Sequence, residues 1–218
     1  MDVSILIANF NRENFLDRVI RSCQNQILLN KQLEIILVDD NSTDNSIQVV
    51  RKYSDEIKLI PLPENKGIGN ASQVGLENSK GKYFVRVDSD DFISPLFLQV
   101  LTLALDQNQE YAFVYGDLIQ IDEKENRLSK IALDSTQKLY NHGAGVLFRK
   151  QVLLEVGGYD SSLRHGEDMD LFIRLEKSGY KGLRLPLALY RYYKHSTNLT
   201  SNEVDHKIRK TIKERHDK

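Results

Sequence analysis

Glu34-Ile35-Ile36-Leu37-Val38-Asp39-Asp40-Asn41-Ser42-Thr43-Asp44 runs from an apolar stretch straight into a polar turn. Glu34 to Val38 reads as a strand, and Asp39 to Asp44 as the turn that ends it. The turn supplies several possible helix caps, and Ile47, Val50 and Tyr53 then mark a helix. Asp40 is expected to cap that helix, which begins near Thr43, leaving Asp39 to face a crevice. Strand, polar turn and helix form one unit of an α/β fold, and the unit recurs on both sides. Upstream, Val3 to Ile7 reads as a strand and Asn9 to Arg12 as its turn. Phe15, Leu16, Val19, Ile20 and Cys23 then place a helix over Glu13 to Gln26. Downstream come a strand at Ile57 to Ile60 and a helix from Gly69 to Ser79. A strand at Tyr83 to Val87 follows, then a helix over Leu96 to Leu105 with Ser94 as expected cap and Pro95 in its first turn. Strands separated by helices predict a parallel sheet built from right-handed crossovers.

After Asp106 the rhythm changes. Ala112 to Ile121 reads as one long strand or a strand pair, and Gly145 to Phe148 as another strand. A short helix from Arg149 closes at Gly157-Gly158, and a stronger one spans Glu167 to Ser178 with Gly179 as its stop. Leu183 to Leu185 and Tyr190 to Tyr193 complete the sheet. Asp122 to His142 is polar and unassigned, expected to be mobile and to close over a ligand. The tail from Ser201 carries Lys207, Arg209, Lys210, Lys213, Arg215 and Lys218 and reads as an ordinary solvated helix, its basic character also suiting anionic lipid. The expected organisation is one mixed α/β domain over residues 1–200, with halves at 1–106 and 107–200, and a basic tail at 201–218.

Composition narrows the function. The 218 residues hold 30 Lys+Arg and 31 Asp+Glu, a net charge of −1, which argues against a dedicated nucleic-acid binder. A single cysteine, Cys23, excludes an internal disulfide framework and a cysteine-rich zinc site. No apolar run approaches the roughly 18 residues of a membrane span. The first residues form no basic leader, so the expected location is the cytoplasm, or the inner face of its membrane.

What matters is where the acids cluster. Ligands of parallel sheets bind beyond the carboxyl ends of the strands. Asp88-Ser89-Asp90-Asp91 stands at such an end, and residues i and i+2 of an extended chain point the same way. Converging carboxylates repel unless a cation relieves them, and hard oxygen ligands suit Mg²⁺ or Mn²⁺. By itself the motif also reads as a solvated acidic turn. Glu167-Asp168-Met169-Asp170 opens a helix, where acids are stabilised by the helix dipole; the alternative reading is a general base at the floor of a cleft. His195 follows a β-type run and reads as structural or as one imidazole added to a carboxylate site.

Taken in order, these segments resemble the family 2 glycosyltransferases, which have the GT-A fold. Ser4 to Arg12 is similar to the family's first strand and nucleotide loop, and Glu34 to Asp44 to its second strand. Glu64-Asn65-Lys66-Gly67 and Gly75-Leu76 fit its third element. Asp88-Ser89-Asp90-Asp91 stands at its DxD motif, and Gly157-Gly158-Tyr159-Asp160 with Gly166-Glu167-Asp168 and Arg174 fits its acceptor-side segment. The resemblance implies a single GT-A domain with a Rossmann-like nucleotide-binding half and a mostly parallel mixed sheet flanked by helices. It further implies inverting, metal-dependent transfer of a sugar from a nucleoside diphosphate, usually UDP, to an acceptor hydroxyl during polysaccharide or glycoconjugate synthesis. The acceptor would be a glycan, a lipid-linked species or a protein. By position, Ala8, Phe10, Asp39, Ser72, Asp88 and Ser89 would contact the nucleotide. Asp90 and His195 would hold Mn²⁺ or Mg²⁺, Asp168 would be the base, and Glu167 and Asp91 would touch donor or acceptor sugar. Ser72-Gln73 replaces an Arg-Asn pair common in relatives, and Phe10 keeps an aromatic ring without the usual hydroxyl. A nucleotide-sugar-binding partner subunit and a sugar-nucleotide pyrophosphorylase-like enzyme are the alternative readings.

Overall fold

The computed structural model describes residues 1–122, 124–195 and 203–216, with side chains omitted for 203–207. The first half alternates as the sequence predicts. It contains β1 (Val3–Asn9), α1 (Glu13–Gln24), β2 (Leu33–Asp39), α2 (Ser46–Arg51), β3 (Ile57–Pro61), α3 (Ile68–Glu77) and β4 (Tyr83–Asp88). The α1 stripe of Leu16, Val19, Ile20 and Cys23 is buried, one face of a 3.6-residue period. β1 pairs in parallel with β2 and β4, and β2 with β3. The register sets Asn9 opposite Asp39 and Ala8 opposite Asp88. Three polar turns therefore leave the sheet at one level, which is what creates the site.

The chain continues with β5 (Phe92–Ile93), α4 (Phe97–Gln107), β6 (Phe113–Ile121), β7 (Arg127–Ile131), α5 (Thr136–Tyr140) and β8 (Val146–Arg149). It continues with α6 (Lys150–Glu155), α7 (Glu167–Lys177), β9 (Gly182–Tyr193) and α8 (Glu203–His216). Strand order is β3-β2-β1-β4-β8-β6-β9-β5, with β7 paired to β6. β8 enters antiparallel between β4 and β6, while β9 lies parallel to β6. Ala112 to Ile121 thus yields one long strand, and the two short runs near the C-terminus are a single strand, β9. No helix among the described residues is long and apolar enough to cross a membrane.

Four local expectations need correction. Ser94 does not cap α4: its N–H donates to Leu189 and its carbonyl accepts from Gln26, so the residue stays tied to β9 and the helix starts at Phe97. Asp40 does not cap α2. Its carboxylate instead accepts from the backbone N–H groups of Lys66 (2.9 Å) and Gly67 (2.7 Å), fixing the turn before α3. Asp44 satisfies the N–H groups of Ser46 and Glu13 at the starts of α2 and α1. The tail is not a solvated helix either: Ile212 of α8 is buried against Gly166, the αL residue that precedes α7. Finally, the polar stretch 122–142 contains β7 and α5, the latter capped by Ser135.

Candidate active site

The carboxyl ends of β1 and β4, the start of α7 and the end of α5 surround a cavity of about 390 Å³. Ala8, Phe10, Asp88, Ser89, Asp90, Glu167 and Asp168 all line it, although they come from distant parts of the chain. Phe10 is exposed at the rim, as an aromatic platform would be. The expected assignment of the neighbouring acids Asp39 and Asp40 is reversed. Asp40 lines the cavity, while Asp39 is enclosed and accepts from Asn9 Nδ2 (2.8 Å), Ser42 N–H (2.9 Å) and Ser42 Oγ (2.6 Å). Asp39 thereby orients Asn9, which does line the cavity.

The DxD turn is divided between two environments. Asp90 Oδ2 lies 2.9 Å from His195 Nε2 and 3.2 Å from Arg12 Nε. Burial pushes the Asp90 carboxyl up, but His195 and Arg12 outweigh it and hold it below the usual carboxylate range. His195 packs against both Phe15 and Tyr193, which also touch each other, so the three rings form one cluster. Asp91, a wall residue by position, turns its carboxylate into the protein, where Tyr190 OH and Tyr193 N–H each donate at 2.8 Å. Burial, with Asp90 and Asp88 nearby, drives its acidity far toward the neutral form. Its geometry is that of a brace between the turn and β9, not of a group reaching for sugar.

Sequence reasoning missed the residue at the centre. Arg86 on β4 is 2% exposed. Its Nε donates to Asp88 Oδ1 (3.0 Å), Nη1 to Glu167 Oε1 (2.8 Å) and Ser72 Oγ (3.3 Å), and Nη2 to Asp168 Oδ2 (2.8 Å). Ser72 is therefore fully buried behind Arg86 and absent from the cavity wall. One guanidinium faces three carboxylates, so charge is left over. Burial and then Asp168 raise Glu167 to about 8, and burial raises Asp88 to about 6 against the pull of Arg86. The signal was available: a charged residue in the apolar run Tyr83 to Val87 of a strand buried on both faces requires partners.

Gly143 was also missed. A methyl group there would overlap the Asp168 carboxylate, so a glycine at this position leaves the acid its space. Arg209 of α8 reaches the cavity too, donating to Tyr140 O (3.2 Å) and Asn141 Oδ1 (2.6 Å).

Comparison with known proteins shows the family of the chain. The glycosyl transferase family 2 model matches residues 4–164. The chain is similar to the putative glycosyltransferase EpsE of Bacillus subtilis (strain 168), at 30% identity over 202 residues, covering 87% of this chain and 72% of that protein. It is also similar to the chondroitin synthase of Pasteurella multocida (strain Pm70), at 26% identity over 215 residues, covering 93% of this chain but 22% of that protein. The fold matches S. aureus TarS in complex with UDP-GlcNAc, with a TM-score of 0.79, 21% identity, and coverage of 97% of this chain and 65% of that chain. It also matches the mannosyltransferase PcManGT from Pyrobaculum calidifontis in complex with GDP-Man and Mn²⁺, with a TM-score of 0.72, 17% identity, and coverage of 90% and 58%. This chain thus spans less than two thirds of either solved chain. The family match over residues 4–164 and the relative at 30% identity show it: the chain belongs to glycosyl transferase family 2 and is a glycosyltransferase.

Proposed function

We propose that the protein transfers a sugar from a nucleoside-diphosphate donor, UDP-linked in the first instance, to an acceptor hydroxyl with inversion at the anomeric carbon. The observation that carries this reading is the meeting of Asp88 and Asp90 with Asp168 around one cavity. Phe10 offers a face to the base, and Asp88 accepts from the ribose. Asp90 and His195 would hold a divalent cation such as Mg²⁺ or Mn²⁺: a carboxylate oxygen and an imidazole nitrogen converge at 2.9 Å. When bound, such an ion supplies positive charge beside the leaving diphosphate.

Asp168 is the proposed general base. Arg86 occupies its Oδ2, so Oδ1 is the oxygen left to take the acceptor proton. Attack from the face opposite the leaving group inverts the centre. The neighbour that binds UDP-GlcNAc supports a uridine donor, and the one that binds GDP-Man and Mn²⁺ supports a divalent metal. The assay is a screen of UDP- and GDP-sugars by calorimetry and by donor hydrolysis, with and without Mn²⁺. Tight binding of one UDP-sugar with Mn²⁺-dependent turnover is the expected result. Selective use of a GDP-sugar would overturn the uridine assignment, and indifference to every nucleotide sugar would overturn the whole reading.

A further inference from the structure

We propose that Arg86 is a positioning residue that sets the donor side and the acceptor side of the reaction with one guanidinium. The inference rests on the glycosyl-transfer reading above and deepens it. Its basis is geometric. Nε reaches Asp88, the acid at the end of β4, while Nη2 reaches Asp168, the proposed base on α7. Nη1 fixes Glu167, the neighbour of that base, and is itself tied to Ser72 on α3. A guanidinium is planar and presents its donors in a fixed fork, so the two carboxylates are held at a set separation and tilt.

A purely structural role explains these contacts poorly. Replacing a buried ion cluster with apolar groups of similar volume is often neutral or stabilising, so stability alone gives weak reason to keep a charge here. The cluster also over-supplies acid, which a stability-driven pairing would avoid. The same guanidinium reaches groups that the mechanism needs from opposite sides: Asp88 for the donor and Asp168 for the acceptor. Gly143 opens the space in which Asp168 is held. Small displacements of a reacting group are costly; about 1 Å can reduce a rate on the order of 10²-fold.

Two variants test the role. Arg86→Lys keeps the charge but loses the fork. Arg86→Gln/Glu167→Gln replaces the guanidinium and the buried acid beside it with two neutral amides that can hydrogen-bond each other, which limits the damage to folding. Both are compared with wild type by thermal unfolding, donor binding and steady-state kinetics on the nucleotide sugar that wild type uses. The expected result is a fall in kcat of about 10²-fold in each, a severalfold rise in donor KM, and a Tm of the double variant near wild type. A double variant that recovers both Tm and kcat would make Arg86 a mere compensator of buried acid and overturn the inference. So would an Arg86→Lys enzyme with kcat within about threefold of wild type. Wild type that turns over no nucleotide sugar at all would instead sink the glycosyl-transfer reading, and this role with it.

Discussion

His195 Nε2 lies 2.9 Å from Asp90 Oδ2, across a separation of 105 residues. β9 brings the imidazole there, and stacking on Phe15 and Tyr193 fixes its plane. Arg18 packs over the same aromatic rings and donates to the Asp90 carbonyl at 2.6 Å, so the turn itself is held as well as its side chain. If the pair receives a divalent ion, the two variants should differ. Asp90→Ala should abolish metal-dependent turnover. His195→Ala should raise the Mn²⁺ concentration for half-maximal rate by about tenfold or more while sparing the maximum more. Turnover titrated against Mn²⁺ at saturating donor checks this. An unchanged metal requirement in His195→Ala would remove the imidazole from the ligand set.

Asp168→Asn preserves the shape of the side chain and an oxygen for Arg86, but cannot take a proton. Transfer should fall by about 10²–10⁴-fold, the usual worth of general-base help, with donor affinity within a few fold of wild type. Single-turnover rates beside calorimetric donor binding separate the two effects. Activity near wild type would move the base to a neighbour such as Glu167 or Asp170.

Gly143→Ala probes the same carboxylate while leaving Asp168 itself unsubstituted. The new methyl would collide with Asp168, which Arg86 holds from the other side, so one contact must give way. Loss of kcat on the order of 10²-fold is expected, with Tm lowered only slightly because the cavity can accept the displaced group. A variant of full activity would show that Asp168 has freedom the structure does not display.

The strand-end acids were legible because their geometry is local. Register and period fix where Asp88 and Asp90 emerge as soon as Tyr83 to Val87 is read as a strand. The Asp39–Asp40 assignment failed because the choice depends on residues far along the chain: Asp40 is claimed by the backbone of Lys66 and Gly67, and Asp39 by Asn9 and Ser42. Ser72 failed for a similar reason, since nothing local says that an arginine on β4 will lie between it and the cavity. The role of α8 was hidden by composition. Its many charges suggest solvent, and the docking face is carried by Ile208 and Ile212, one turn apart against Gly166.

Glu167 makes stability depend on pH in a definite direction. Its pKa is raised to about 8 in the folded chain, first by burial and then by Asp168. Between the ordinary carboxylate range and that value, the folded state holds a proton that the unfolded state has released. Stability therefore falls as pH rises through this window, by at most about 1.4 kcal/mol per pH unit from this group. Glu167→Gln is neutral throughout and keeps an oxygen for Arg86. It should match wild type near pH 5 and exceed it in Tm near pH 8. Parallel melting curves across the window would refute the assignment.

Ile212 is the residue by which α8 closes onto the site. It is 2% exposed and packs on Gly166, immediately before the acids of α7. Around it, Arg215 donates to Asp160 (2.7 Å), His216 approaches Asp170 (2.7 Å), and Arg209 reaches the cavity wall. Arg215–Asp160 is exposed and individually weak, and His216–Asp170 is the enclosed pair among them, so the apolar contact should carry most of the docking. Ile212→Ala removes most of it and should cost about 2–4 kcal/mol locally, because the helix can leave while the sheet stays folded. Trypsin should then cleave rapidly at Arg209, Lys210 or Lys213 with the main melting transition nearly unchanged. Donor or acceptor KM should rise as Arg209 departs. Protection equal to wild type would mean that the charged contacts alone suffice to hold α8.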